Sequence, residues 1–378
     1  IEAPVFSASL SAQYPAIKSY IGFSTNNSGA VVRMSVSPKG VQTMISYRDQ
    51  PTVYMQPLKG DVENYIVYNR LSKTNLPKED FIYATADELV KDAGLNNVTQ
   101  RDADDQILRK FRLAMSVNGE YTAYHGGTVA GALAAINATM TRVNAVFETD
   151  MSVTFEVQNF PELIYTDAGT DPYSGSLNAW NVELQNTLTT TIGNSAYDIG
   201  HMFGGSGGGG NAGCIGCVCV DDSASTSDKN KGAGITSPAD GIPEGDNFDI
   251  DYVAHEIGHQ MGANHTFSHT TESAGVNAEP GSGSTIMGYA GITGANNVVQ
   301  HSDAYFHYHS IRQITDNVTN TRTCWQANAP VTLTNNPPNA NAGGDYTIPQ
   351  GTAYVLRGTA TDADEDDDLM YCWEGTDS

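Results

Sequence analysis

Basic residues are scarce in this chain of 378 residues: 19 Lys and Arg stand against 43 Asp and Glu, a formal net charge of −24. Such a surface repels phosphate backbones and anionic headgroups, which argues against nucleic acid or a membrane as partner and favours solubility. Long hydrophobic runs are missing too. No stretch approaches 18 consecutive apolar residues, so no segment reads as a membrane span, and Ile1 does not open a charged-then-apolar signal sequence. The composition supports export with any signal already removed, so a secreted, extracellular, monomeric protein is expected. Cysteine is sparse: Cys214, Cys217, Cys219, Cys324 and Cys372, with none earlier in the chain. The first four permit three pairings, among which sequence does not choose. A bridge from the 214–219 cluster to Cys324 would tie the segment's end to its sheet. The rival, a structural zinc site built on Cys214-x-x-Cys217, needs two further close ligands and a reducing compartment.

What is present is concentrated in one string. Residues His255 to His265 read His-Glu-x-x-His-x-x-Gly-x-x-His. On a helix, His255 and His259 are four positions apart and share a face, so both imidazoles aim at one point outside the cylinder, with Glu256 beside them. A continuing helix would carry His265 off that face. Gly262 supplies a residue tolerant of positive φ where the chain can turn, letting His265 return as a third ligand. Three neutral imidazoles leave one position of a four-coordinate zinc open to water, the mark of a catalytic rather than a structural site. Glu256 is then placed to take that water's proton. The competing reading, a surface helix rich in histidine, does not account for the added glycine and third histidine.

Downstream, Glu279 to Gly291 is turn-rich and carries Met287 near its centre, with Tyr289 two residues on. The long histidine motif followed by a methionine turn resembles the metzincins. Within them the likeness is greatest to bacterial secreted reprolysin-like, adamalysin-related metalloendopeptidases, over about residues 107–325. The resemblance implies a zinc cofactor, protein or peptide substrates, and an apolar floor formed by Met287 beneath the histidines. Tyr289 matches the tyrosine that astacins and serralysins place beside zinc, where a phenol can donate to a developing oxyanion; a packed tyrosine is the alternative. One departure stands out: Thr266 follows the third histidine, where adamalysins carry Asp. A cysteine switch of the kind found in some metzincin precursors is impossible within this chain, since no cysteine precedes Cys214.

The surrounding pattern predicts an α+β catalytic domain with a mixed twisted sheet and zinc in the cleft. Phe111–Val117 alternates like a strand, Thr128–Phe147 has helical spacing, Met151–Val157 is a strand, Leu177–Ile192 a helix, and Ala196–Phe203 a buried strand. In the related peptidases an edge strand near Gly204–Gly213 pairs with extended substrate, a general recognition mode. Phe306–Ile314 reads as a last helix with Phe306, Ile311 and Ile314 inward. His301, His307 and His309 do not read as a second metal site, because residues two apart point to different helix faces. His125, His201 and His269 are isolated.

Residues 1–75 hold β-branched, alternating pieces and are expected to form a small β-rich propeptide, with 76–106 as its linker and activation segment. The latter holds few core-type residues and an acidic run at Asp102–Asp105. Cleavage near Arg101 or Arg109–Lys110 would release the mature enzyme, and with no cysteine to block zinc, an aspartate such as Asp49 is a candidate. Residues 326–344 read as a second linker. Residues 345–378 resemble the opening of a polycystic-kidney-type or cadherin-like β-sandwich, too short to complete one. Asp362, Asp364, Asp366, Asp367 and Asp368, and the turn Asp167–Tyr173, offer calcium-type oxygen ligands or simply solvated acidic turns. Three functions remain open: a zinc endopeptidase in zymogen form, a catalytically inactive adhesin or binding protein on the same fold, and a zinc hydrolase acting on esters or glycans.

Overall fold

The computed structural model describes residues 1–25, 29–73, 81–85, 104–223, 225–272, 274–364 and 369–376. Its centre is helix α3 (Val129–Met151), following the short helices α1 (Ala8–Gln13) and α2 (Gly119–Tyr124). The Thr128 side chain caps α3 by accepting from the Gly131 amide. Every residue from Gly131 to Phe147 is buried. A helix apolar on all sides must be covered on all sides, and α3 lies between two sheets.

The first sheet is an antiparallel meander of β1 (Lys18–Phe23), β2 (Val31–Ser37), β3 (Gly40–Ser46), β4 (Val53–Leu58) and β5 (Asp61–Asn69), in that order. This is the β-rich N-terminal unit expected from sequence. It meets α3 through buried polar contacts: Ser19 Oγ donates to Asn137 Oδ1 at 2.9 Å, and Asn137 Nδ2 donates to Ser35 Oγ at 2.7 Å.

The second sheet is mixed, as its alternation with helices implied. Strand β7 (Ile107–Val117) pairs in parallel with β8 (Val153–Val157) and β9 (Ile199–Phe203). Beyond β9 comes β11 (Gly234–Ser237), parallel, and then β10 (Gly209–Asn211), antiparallel. Parallel strands covered on both faces need continuous apolar runs, and β9 is buried at every position. The strand expected in the glycine-rich stretch is β10, but it is not a free edge: β6 (Ile82–Tyr83) pairs with it in parallel. Helices α4 (Leu177–Thr191), α5 (His255–Met261) and α6 (Tyr308–Asp316) complete the α+β class. In the last of these regions Phe306 and Ile314 are buried as expected.

Several expectations are corrected. The 76–106 segment is not a bare tether, since Phe81 and Thr85 are buried against the second sheet. Arg109–Lys110 lies inside β7 with Arg109 buried, so no protease reaches that bond in the folded chain; Arg101 and Asp102 lie outside the described residues. The 326–344 linker carries β12 (Val331–Thr332), which pairs with β7, and β13 (Asn339–Asn341), which pairs with β14 (Thr359–Thr361). Cys219 is bonded to Cys324 and Cys214 to Cys217. The first bridge is the tie to the sheet that sequence suggested, and the second removes the Cys214-x-x-Cys217 zinc alternative because thiolates are no longer present to bind.

Candidate metal centre

A π-helical segment, Asn247–Ala254, runs directly into α5, so His255 opens a helix whose entry is already fixed. That entry is pinned by charge: Arg142 of α3 pairs with Asp249 at 2.7 Å with both side chains buried, while Arg70 pairs with Asp251. Gly262 ends α5 at φ +128°, a conformation L side chains rarely adopt, and the chain reverses there. His265 therefore returns to the His255–His259 pair, as the motif required.

The ligand nitrogens of His255, His259 and His265 lie within 4.8 Å of one another, and all three residues are completely buried. His259 Nε2 is 3.1 Å from His255 Nε2 and 3.0 Å from His265 Nε2. These are not hydrogen bonds, because the protons are elsewhere. His255 Nδ1 donates to the Ile286 carbonyl at 2.7 Å, and His259 Nδ1 to the Ala263 carbonyl at 2.7 Å. His265 Nδ1 faces the Glu272 carboxylate at 3.0 Å. A carbonyl or carboxylate accepts only, so each Nδ1 carries the proton and each Nε2 offers a lone pair inward. Two of the nitrogen pairs stand about 3 Å apart and all three nitrogens lie within 4.8 Å of one another; converging lone pairs repel one another, and that arrangement fits a divalent cation bound by imidazole.

Glu256 is buried beside the triad. Desolvation pushes its carboxyl up to about 8, opposed by a hydrogen bond from Thr85 and by nearby His265. A cation in the triad would act in the opposite sense to burial. Met287 is fully buried, with its Sδ 2.7 Å from where a Cβ on Gly258 would sit; only glycine there lets the thioether lie against α5. The Tyr289 ring lies 4.6 Å from that of His265 and 5.9 Å from that of His255. Thr266 has found a carboxylate from elsewhere: its hydroxyl donates to Glu279 Oε2. Glu279 also accepts from Thr285 Oγ1 at 2.6 Å and from the Ser284 and Thr285 amides at 2.8 and 3.0 Å. One buried acid thus ties the residue after the third histidine to the turn carrying Met287.

The sequence profile of metallo-peptidase family M12B, reprolysin-like, matches residues 108–317. The chain belongs to this family. No curated protein matches it. Reprolysin-like M12B peptidases are zinc-dependent and act on protein or peptide, and the matched span contains the entire histidine cluster. No helix among the described residues is long and apolar enough to cross a membrane.

The residues singled out from this reprolysin-like chain's sequence thus gather at one place: His255, His259 and His265, with Glu256, Met287 and Tyr289 around them. Other candidates fall outside. Asp49 is exposed and no member of the cluster. His301 contacts the Asp251 carboxylate, His307 caps α6 by accepting from the His309 amide, and His309 contacts the Thr376 carbonyl, so they serve structure as expected. Asp171 accepts from the Gly119 and Tyr173 amides, Asp167 from Gly169, and Asp364 from Asn336. Among the described residues these acids form no metal cluster; Asp366, Asp367 and Asp368 lie outside them. Sequence reasoning missed Glu272, Glu279, Thr85 and the carbonyls of Ala263 and Ile286. The Ala263 partner was findable, since a helix ended by Gly262 must turn its chain back over His259. The others had no local signal.

Proposed function

We propose that this chain is a secreted zinc endopeptidase of the metzincin type, held as a zymogen. The reading divides it into a 1–75 propeptide, a 76–106 activation segment, a 107–325 catalytic domain, a 326–344 linker and the start of a β module at 345–378. The observation that carries it is the convergence of three Nε2 lone pairs with Glu256 as their neighbour. Zinc held by His255, His259 and His265 would supply Lewis acidity toward a peptide carbonyl and acidify water beside it. Glu256 then accepts a water proton and later delivers it to the leaving amine, which needs a carboxylate within hydrogen-bond reach and a site closed to bulk solvent. Tyr289 donates its phenolic hydrogen to the oxygen on which charge develops. Once β6 has left it, the β10 edge would hold extended substrate by backbone hydrogen bonds, which favours peptide over ester or glycan. An inactive adhesin would be expected to have lost a ligand or the base, and all four residues are in place.

The test replaces Glu256 by Gln. The variant keeps one zinc per chain by elemental analysis and loses hydrolysis of a denatured protein by about 10²-fold or more. Normal turnover in that variant rejects Glu256 as base, and an absence of zinc from the parent protein rejects the site.

A further inference from the structure

Residues Phe81 to Thr85 lie where a peptide substrate would have to go. Ile82 N donates to the Gly208 carbonyl at 3.1 Å, and Ala84 N to the Gly210 carbonyl at 2.9 Å, so β6 takes up the outer hydrogen-bonding groups of β10. Alternate side chains point inward: Phe81 and Thr85 are buried, whereas Ile82 and Ala84 are exposed. Phe81 stacks on Tyr252 with ring centres 3.8 Å apart. Tyr83 stacks on Tyr289 at 4.5 Å and lies 4.4 Å from the His255 ring, and its hydroxyl donates to the Asp251 carbonyl. At the end of the segment, Thr85 Oγ1 accepts from the Ala212 amide at 2.8 Å and donates to Glu256 Oε2 at 3.0 Å.

We infer that Phe81–Thr85 is a built-in plug that keeps the peptidase site latent by strand addition at β10, with the Thr85 hydroxyl, rather than a metal ligand, engaging the catalytic base. The inference rests on the peptidase reading and names the regulation of that site. Phe-Ile-Tyr-Ala-Thr contains no His, Cys, Asp or Glu, the side chains zinc ordinarily takes, and the Tyr83 and Thr85 hydroxyls donate to the Asp251 carbonyl and to Glu256. It closes the cleft in three other ways. Gly208, Gly210 and Ala212 lose the backbone groups that would receive an incoming strand. The Tyr83 ring packs against both His255 and Tyr289. The Glu256 carboxylate, which must accept a proton from water, is instead bonded to a hydroxyl. The plug is held by a two-residue ladder and stacked rings at the outermost position of the sheet, so it can leave without unfolding the strands beneath.

The experiment uses the full chain and two readouts: kcat/KM on an internally quenched extended peptide, and hydrogen exchange at the Ala84 amide, which is bonded to the Gly210 carbonyl of β10. The variants are Thr85→Val combined with Tyr83→Ala, and Thr85→Ser alone, with melting temperature and zinc content followed in each. The expected result is an increase of at least tenfold in both readouts for the double variant, at unchanged zinc content, while Thr85→Ser keeps the parent's low values. Adding Glu256→Gln to the double variant abolishes the gain in activity but not the faster exchange. Unchanged exchange at Ala84 in the double variant overturns the plug, as does a parent chain that already turns over peptide at the variant's rate. Faster exchange with zinc bound but no hydrolysis supports the plug as a cleft cover and rejects the peptidase reading instead.

Discussion

Glu272 contacts His265 Nδ1 from a partly exposed position, with about a quarter of its side-chain surface accessible. Its two counterparts around the triad are backbone carbonyls, which no substitution removes. Glu272 is therefore a side-chain partner open to test. Its carboxylate fixes the tautomer that turns the His265 Nε2 lone pair inward and makes that nitrogen a stronger donor. Glu272→Gln should weaken zinc affinity by about 10- to 100-fold, read by competition with a calibrated chelator, with little change in fold. Affinity equal to the parent's would mean that packing against Phe267 alone orients the ring. Glu279 is a residue-scale substitution of a different kind. Where adamalysins place a carboxylate directly after the third histidine, this chain has Thr266 and takes the carboxylate from thirteen positions downstream.

At the scale of elements, α5 is fastened to the sheet by one buried histidine. His201 of β9 donates from Nδ1 to Gln260 Oε1 at 2.7 Å, and its Nε2 meets Thr236 of β11 at 2.8 Å; Gln260 Nε2 donates onward to the Gly200 carbonyl. Burial lowers His201 to about 4 against an ordinary value of 6.5. The folded pKa lies below the unfolded one, so the unfolded chain binds the extra proton first. The neutral network's contribution is complete above pH 6.5 and is lost as pH falls from there toward 4, at up to about 1.4 kcal/mol per pH unit. Urea unfolding of the parent and of His201→Gln across this window should show a shallower pH dependence in the variant. Parallel curves would show that folding leaves the His201 pKa unchanged. The methionine turn belongs to this scale too: the Ile286 carbonyl holds His255, and the Met287 carbonyl accepts from the Thr266 amide at 3.2 Å, so the turn supports two ligands through its backbone.

Across the whole molecule the N-terminal third is woven into the catalytic unit. Val5 and Ser7 exchange backbone hydrogen bonds with Val157 at the β8 edge, while Ile82 and Ala84 line the β10 edge, so both margins of the mixed sheet are covered by chain from the N-terminal side. Covered edges are closed to pairing with other chains. The Cys219–Cys324 bridge, with Cα atoms 5.7 Å apart, closes a span of 105 residues that contains the whole metal site. A loop of that length is worth about 4–5 kcal/mol in the chain-entropy view. Replacing both cysteines by Ala should lower unfolding free energy by about 2–5 kcal/mol in denaturant titrations, with a matching fall in the temperature at which activity is lost. A loss under 1 kcal/mol would mean that the α3 sandwich already restrains this span.

The sequence by itself determined the centre of this protein. Four-residue spacing puts His255 and His259 on one helix face, Gly262 permits the reversal that returns His265, and the apolar periodicity of 128–147 and the alternation of 111–117 mark the helix and strand they became. These are local rules, in which contact follows from separation along the chain. Only the tertiary structure decided what surrounds that centre. Thr85 reaches Glu256 across 171 positions, Arg142 reaches Asp249 across 107, and Thr266 reaches Glu279 across 13. Such partners leave no periodic trace, because a side chain is recruited by where its element packs. The polar segment around residue 81 gave no sign of core packing because only alternate residues of a short outer strand turn inward.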